Sequence, residues 1–119
     1  GLAGTVALAP VADLAAADRE LLGSGAVHDF LGDAASSRLD LDPVRMVSAM
    51  QPVTLVHGSD DDVVPPRQSQ AYLDAHPTAR LELLEGAGHL DVIDPLSPAW
   101  PAVVSAIAAA TEPQAQPSP

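Results

Sequence analysis

Two short stretches of the chain concentrate side chains that can hold and pass protons. Residues His57 to Pro66 read HGSDDDVVPP, and Glu85 to Pro95 read EGAGHLDVIDP. In the first, Gly58 permits a sharp turn away from an apolar run, and three carboxylates follow in succession, Asp60, Asp61 and Asp62. In the second, Gly86 and Gly88 bracket a turn that presents His89. A carboxylate bonded to an imidazole fixes the ring's tautomer and stabilises its protonated form, so that the other ring nitrogen can take a proton from a nucleophile. The same residues suggest two plainer roles. Loop aspartates also serve as turn and capping residues, and a histidine between glycines can simply be a surface residue. Asp60, Asp62, His57 and His89 could also offer mixed ligands to a cation, but their spacing matches no regular metal site.

The elements that flank these stretches decide whether an acid and a base can meet. Thr5–Ala9 (TVALA), Val53–His57 (VTLVH) and Arg80–Leu84 (RLELL) are short apolar runs with the character of strands. Helical signals alternate with them. Asp13 is placed to cap a helix reaching Leu22, with Gly23 to stop it, and a second short helix is expected over Ala26–Leu31. Asp42-Pro43 predicts a turn or two over Pro43–Ala49. Pro66 opens a helix through Arg67–Ala75, with Ala71 and Leu73 or Tyr72 on its apolar face, and His76-Pro77 closes it. Ser97-Pro98 precedes a last helix to about Ala110, which buries Val103, Val104 and Ile107; Pro101 shifts its start a residue or two later.

Strands alternating with helices imply a parallel sheet covered on its faces, in which loops leaving the carboxyl ends of the strands carry the chemistry. Neighbouring parallel strands lie about 5 Å apart, so the loops after the second and third strands can bring a carboxylate to His89. His57, at a strand end, is expected to be a structural hydrogen bonder. His28 and His76 are expected at the surface, Trp100 in the core under the histidine loop, and Asp91 and Asp94 in turns.

The chain has 119 residues, 47% of them hydrophobic, enough for one domain with a core. Sixteen acidic residues against five arginines give a net charge of −11, which argues against nucleic acid and anionic membranes as partners. No apolar run approaches a membrane span. With no cysteine, disulfides and thiolate chemistry are excluded, in keeping with a soluble, cytoplasmic protein. Residue 1 is Gly and the first strand follows at once, so the sequence reads as one that continues upstream.

The order H-G-x-x-D-x-x-V-P then G-x-G-H resembles the acid and histidine loops of the α/β-hydrolase superfamily. Gly58, Asp61, Val64 and Pro65 fill the first pattern; Gly86, Gly88 and His89 fill the second. Residues 93–100 (IDPLSPAW) are similar to bacterial esterases and kynurenine-formamidase-like or feruloyl-esterase-like enzymes, and TVALAPVADL resembles the strand that follows their nucleophile strand. The resemblance spans residues 4–110. It implies an α/β fold in which residues 1–111 form a three-stranded parallel sheet with flanking helices, the C-terminal part of the hydrolase fold, ahead of a disordered tail over 112–119.

It also implies a serine hydrolase acting on small-molecule esters or amides, with Asp61 and His89 as acid and base and no metal or cofactor. In that family the nucleophile precedes the acid and the histidine in the chain. Neither Ser24 nor Ser59 sits in a G-x-S-x-G elbow. The resemblance therefore places the serine and the oxyanion hole in a missing N-terminal half, and the 119 residues alone are expected to be inactive. A non-catalytic acidic binding module that keeps the hydrolase shape is the alternative.

Overall fold

The computed structural model describes residues 4–46 and 51–111. Three strands, β1 (Thr5–Leu8), β2 (Val53–Gly58) and β3 (Arg80–Leu84), form one parallel sheet in the order β1-β2-β3. Leu8 lies opposite Val56, and Gly58 opposite Leu84, so all three chains leave the sheet at the same edge. Between them run α1 (Leu14–Arg19), α2 (Ala26–Leu31) and α3 (Arg67–Ala75), and α4 (Trp100–Thr111) closes the described chain.

Side chains alternate across a strand, and here each face receives a helix. Val6, Leu8, Val56 and Leu84 point to the side covered by α4, where Val56, Val92, Val103, Ala106 and Ala9 form the buried core with Trp100 packed against it. On the other face lie Leu55 and His57, beside α3. The central strand is accordingly the most buried, with Leu55, Val56 and His57 at 2%, 0% and 0% exposure. The result is a three-layer α/β/α arrangement. No described helix is long and apolar enough to cross a membrane.

Several sequence expectations change in detail. The first helix ends at Arg19 rather than Leu22, because Leu21, Gly23, Ser24 and Gly25 all adopt left-handed backbone, which a right-handed helix cannot continue. Over Pro43–Arg45 the chain makes a single tight turn, and residues 47–49 of the expected helix lie outside the described residues, as does the tail over 112–119. Asp42 does not cap that turn. Its buried carboxylate instead accepts the N–H groups of Leu14 (2.8 Å) and Ala15 (3.1 Å), capping α1 from across the fold beside the cap from Asp13 to Ala16 N–H.

The inner faces of α3 and α4 differ from the expected ones as well. In α3 the buried residues are Gln68 and Ser69, while Ala71, Tyr72 and Leu73 are only half-buried. Both polar side chains have partners there, Gln68 Oε1 accepting Asp13 N–H at 2.7 Å and Ser69 meeting His57. His76 is buried too, its ring 4.5 Å from that of Tyr72. In α4 the buried stripe runs through Val103 and Ala106, leaving Val104 and Ile107 at 46% and 42% exposure. A small side chain at 106 lets the helix lie close to the sheet.

This placement of α4 predicts unequal costs for two neighbouring valines. Val103→Ala removes two buried methyl groups and should cost about 2 kcal/mol, whereas Val104→Ala should cost less than about 0.5 kcal/mol, as read from chemical denaturation. The reverse order would mean that α4 is rotated by about one residue, roughly 100°.

Candidate active site

At the carboxyl edge of the sheet the loops after β2 and β3 are bound to each other before any side chain of the pair is considered. Ser59 N–H donates to Leu84 O at 2.9 Å, and Asp60 N–H to Ala87 O at 3.0 Å. Ser59 Oγ accepts Gly86 N–H at 2.8 Å. The two backbones approach so closely at Gly58 that a Cβ there would lie 2.1 Å from Ala87 O and 2.7 Å from its carbonyl carbon. Only glycine fits. Gly86, with φ of +76°, supplies the left-handed residue that turns the chain from β3 toward His89.

The close crossing sets one aspartate against the histidine. Asp61 Oδ2 accepts His89 Nδ1–H at 2.7 Å, while Asp60 and Asp62, on either side, are exposed. Neither caps α3, which starts at Pro66 without a side-chain cap. The Asp61 side chain is fully buried. Its other oxygen, Oδ1, accepts the N–H groups of Val63 (3.0 Å) and Val64 (2.8 Å), a turn closed by the side chain upon its own backbone. Burial is the largest influence on this carboxyl and works to raise its pKa. The hydrogen bonds from His89, Val64 and Val63, together with the His89 charge, outweigh it and hold Asp61 below the ordinary carboxylate range. Asp61 is therefore an anion at neutral pH.

His89 is half-buried, its side chain 29% exposed. With Nδ1–H given to Asp61, Nε2 is the nitrogen left to exchange a proton with something placed over the sheet edge. The loop beyond His89 is tied down by its own polar groups: Gly88 N–H donates to Asp91 Oδ2 at 2.8 Å, Ser97 Oγ–H to Asp91 O at 2.6 Å, and Leu96 N–H to Asp94 Oδ1 at 2.9 Å. Val92 of this segment packs into the core against α4.

Beneath the pair sits His57, on which the sequence placed a structural role without partners. The ring is wholly buried, its Nδ1 2.7 Å from Ser69 Oγ and its Nε2 2.7 Å from Val64 O. Nε2 also comes within 3.5 Å of Asp61 Oδ2. Ser69 and Gln68 were not legible as parts of this region. The available signal was weak: the first turn of Arg67–Ala75 is wholly polar (RQSQ), with the apolar residues confined to its second half. Among the described residues no group of three histidines, cysteines or acids could hold a metal ion, and His57, taken up by Ser69 and Val64, is not available as a ligand.

No family model and no curated protein matches the chain. Solved structures do. A serine-to-alanine mutant of puromycin hydrolase complexed with PGG superposes with a TM-score of 0.62 at 24% identity, over 71% of this chain and 14% of that one. The acetyl ester-xyloside bifunctional hydrolase from Caldicellulosiruptor lactoaceticus gives a TM-score of 0.61 at 24% identity, over 86% of this chain and 40% of that one. The sheet and its flanking helices have the α/β-hydrolase fold. The chain spans less than half the length of either of these two proteins.

The lowered pKa of Asp61 fixes a direction for stability against pH. A carboxyl with a depressed folded-state value stabilises the fold above its unfolded value, near pH 4, and loses that contribution as pH falls through the folded value. The stability advantage of the wild type over Asp61→Asn should be full at neutral pH and shrink steadily below about pH 4 in denaturation series. A gap that is constant from pH 7 to pH 2 would show that folding does not lower the pKa of the Asp61 carboxyl, and one that widens as pH falls would show that burial raises it instead. Gly58→Ala should cost more than about 2 kcal/mol, since backbone rather than a side chain stands in the way of the new methyl group.

Proposed function

We propose that this chain supplies the acid and the base of a serine hydrolase that cleaves an ester or amide bond in a small-molecule substrate. The observation that carries the proposal is the 2.7 Å contact between buried Asp61 and His89 Nδ1 at the carboxyl edge of adjacent parallel strands in this fold. Both solved neighbours are hydrolases by description, which agrees with the reading. The bacterial esterase and kynurenine-formamidase-like enzymes that the sequence resembles are its nearest guide to substrate class.

In this mechanism His89 Nε2 takes the proton of a serine hydroxyl as the oxygen attacks the carbonyl carbon. Asp61, already anionic and fixed, stabilises the imidazolium that forms. His89 then gives the proton to the departing alcohol or amine, leaving an acyl-serine. A water molecule, deprotonated by the same nitrogen, attacks the acyl carbon, and return of the proton to the serine oxygen releases the acid.

We assign the serine and the oxyanion hole to sequence upstream of Gly1. Ser59, Ser69 and Ser97 are committed elsewhere, to Gly86, His57 and Asp91. The upstream half would also pair with β1, which among the described residues has β2 as its one neighbour in the sheet.

Two measurements test this. The 119 residues alone should hydrolyse short p-nitrophenyl esters no faster than their His89→Ala variant; robust turnover lost on replacing one of their own serines would overturn the assignment of the nucleophile. Joined to the upstream half, Asp61→Asn should lower kcat by about a hundredfold or more, against less than about tenfold for Asp60→Asn or Asp62→Asn. If the joined protein turns over no ester or amide at all, the acidic binding module is the better reading.

A further inference from the structure

We propose that His57 is a positioning residue for the acid–base pair: held as the Nε2–H tautomer between Ser69 and the Val64 carbonyl, it fixes the loop that aims Asp61 at His89. The proposal rests on reading Asp61 and His89 as that pair, and it extends the site to two residues that do not touch substrate.

The argument begins at a peptide bond. Val64 is buried and precedes Pro65, so the peptide unit that carries its carbonyl has no N–H, and among the described residues the loop backbone gives that oxygen no donor. His57 Nε2, 2.7 Å away, supplies one. A carbonyl oxygen can only accept, so Nε2 must carry the proton. The same proton faces Asp61 Oδ2 at 3.5 Å, where a bare nitrogen lone pair would oppose the carboxylate. Both acceptors therefore select one tautomer.

With Nε2 protonated in the neutral ring, Nδ1 is an acceptor, and Ser69 Oγ–H at 2.7 Å must donate to it. Ser69 and His57 are both wholly buried, so water does not compete for these bonds. The chain of hydrogen bonds has one direction, from α3 through the imidazole of β2 to the acid loop.

Val64 is the residue on which the two systems meet. Its N–H donates to Asp61 Oδ1 at 2.8 Å, and its C=O accepts from His57. Holding the carbonyl end of Val64 fixes the orientation of its N–H, and the N–H fixes the carboxylate. Without His57 the acid loop could relax at Val64–Pro65 and turn Oδ2 away from His89 while β2, β3 and their crossing stay intact. A merely structural histidine would affect stability and leave the Asp61–His89 contact as it is.

The test is ¹⁵N and ¹³C NMR of the labelled 119-residue chain in five forms: wild type, Asp61→Asn, His57→Phe, His57→Gln and Ser69→Ala. At neutral pH wild-type His57 should show the shifts of a ring protonated at Nε2 and bare at Nδ1, with an Nε2–H proton slow to exchange. Ser69→Ala leaves both acceptors at Nε2, so it should keep that tautomer and shift the signal of the bare Nδ1, which loses its donor. His57→Phe fills the space without a donor; the Asp61 carboxyl midpoint should move up toward the ordinary carboxylate range and the His89 Nδ1–H resonance should be lost to exchange. His57→Gln, which can offer an amide N–H to Val64 O, should restore most of both. A wild-type His57 protonated at Nδ1 overturns the proposal without any variant. So does a folded His57→Phe chain with unchanged Asp61 titration and His89 resonance. If the His89 Nδ1–H signal of the wild type is unmoved by Asp61→Asn, the acid–base pair itself is misread, an outcome distinct from the failure of His57 alone.

Discussion

A carboxylate held wholly out of water at the end of the central strand is the constraint on which the rest of this structure turns. Transferring such a group to the interior without compensation costs several kcal/mol even after relaxation. Asp61 is compensated by two backbone N–H groups on one oxygen and by His89 on the other, with His57 Nε2 close by. Each donor requires a definite backbone path. The turn over 61–64 must close on its own aspartate, and the loop after β3 must arrive within reach of it.

That second requirement explains the geometry of the sheet edge. Parallel strands deliver their carboxyl ends side by side, and β2 and β3 are adjacent with Gly58 level with Leu84. The remaining gap is closed by bringing backbone against backbone at Gly58 and Ala87, with Ser59 and Asp60 bonded across. The precision of the Asp61–His89 contact is thus inherited from main-chain hydrogen bonds, which is how a site built on loops can be as rigid as one built on strands.

Polar residues in the interior extend the same logic. Gln68 binds the Asp13 N–H, Asp42 caps the start of α1, and Ser69 reaches His57, so the entry to α1 and the end of β2 are fastened by side chains from other parts of the chain. A purely apolar α3 would pack more simply but would leave these backbone and imidazole groups without partners, at about 1–3 kcal/mol each.

The sequence by itself determined the alternation of strands and helices, because apolar runs and their turn signals are local. Val53–His57, Arg80–Leu84, Ala26–Leu31 and Arg67–Ala75 lie where the residues placed them, give or take one position. It also located the two loops, since a glycine after a strand and a glycine-flanked histidine are local patterns, and the family resemblance singled out Asp61 among three adjacent carboxylates. Tertiary structure decided the rest. That Asp61 is buried while Asp60 and Asp62 are exposed, that Gly58 is required by a chain 29 residues away, and that Asp42 caps a helix 28 residues before it all depend on which segments meet in space. The same holds for the faces of α3 and α4, where the sheet and the loops, not the hydrophobic period, chose Gln68 and Ser69 over Leu73, and Ala106 over Ile107. A burial pattern read from one strand of sequence assumes that the partner surface is apolar and flat, and here it is neither: it carries a histidine and a free N–H that only a polar side chain can meet.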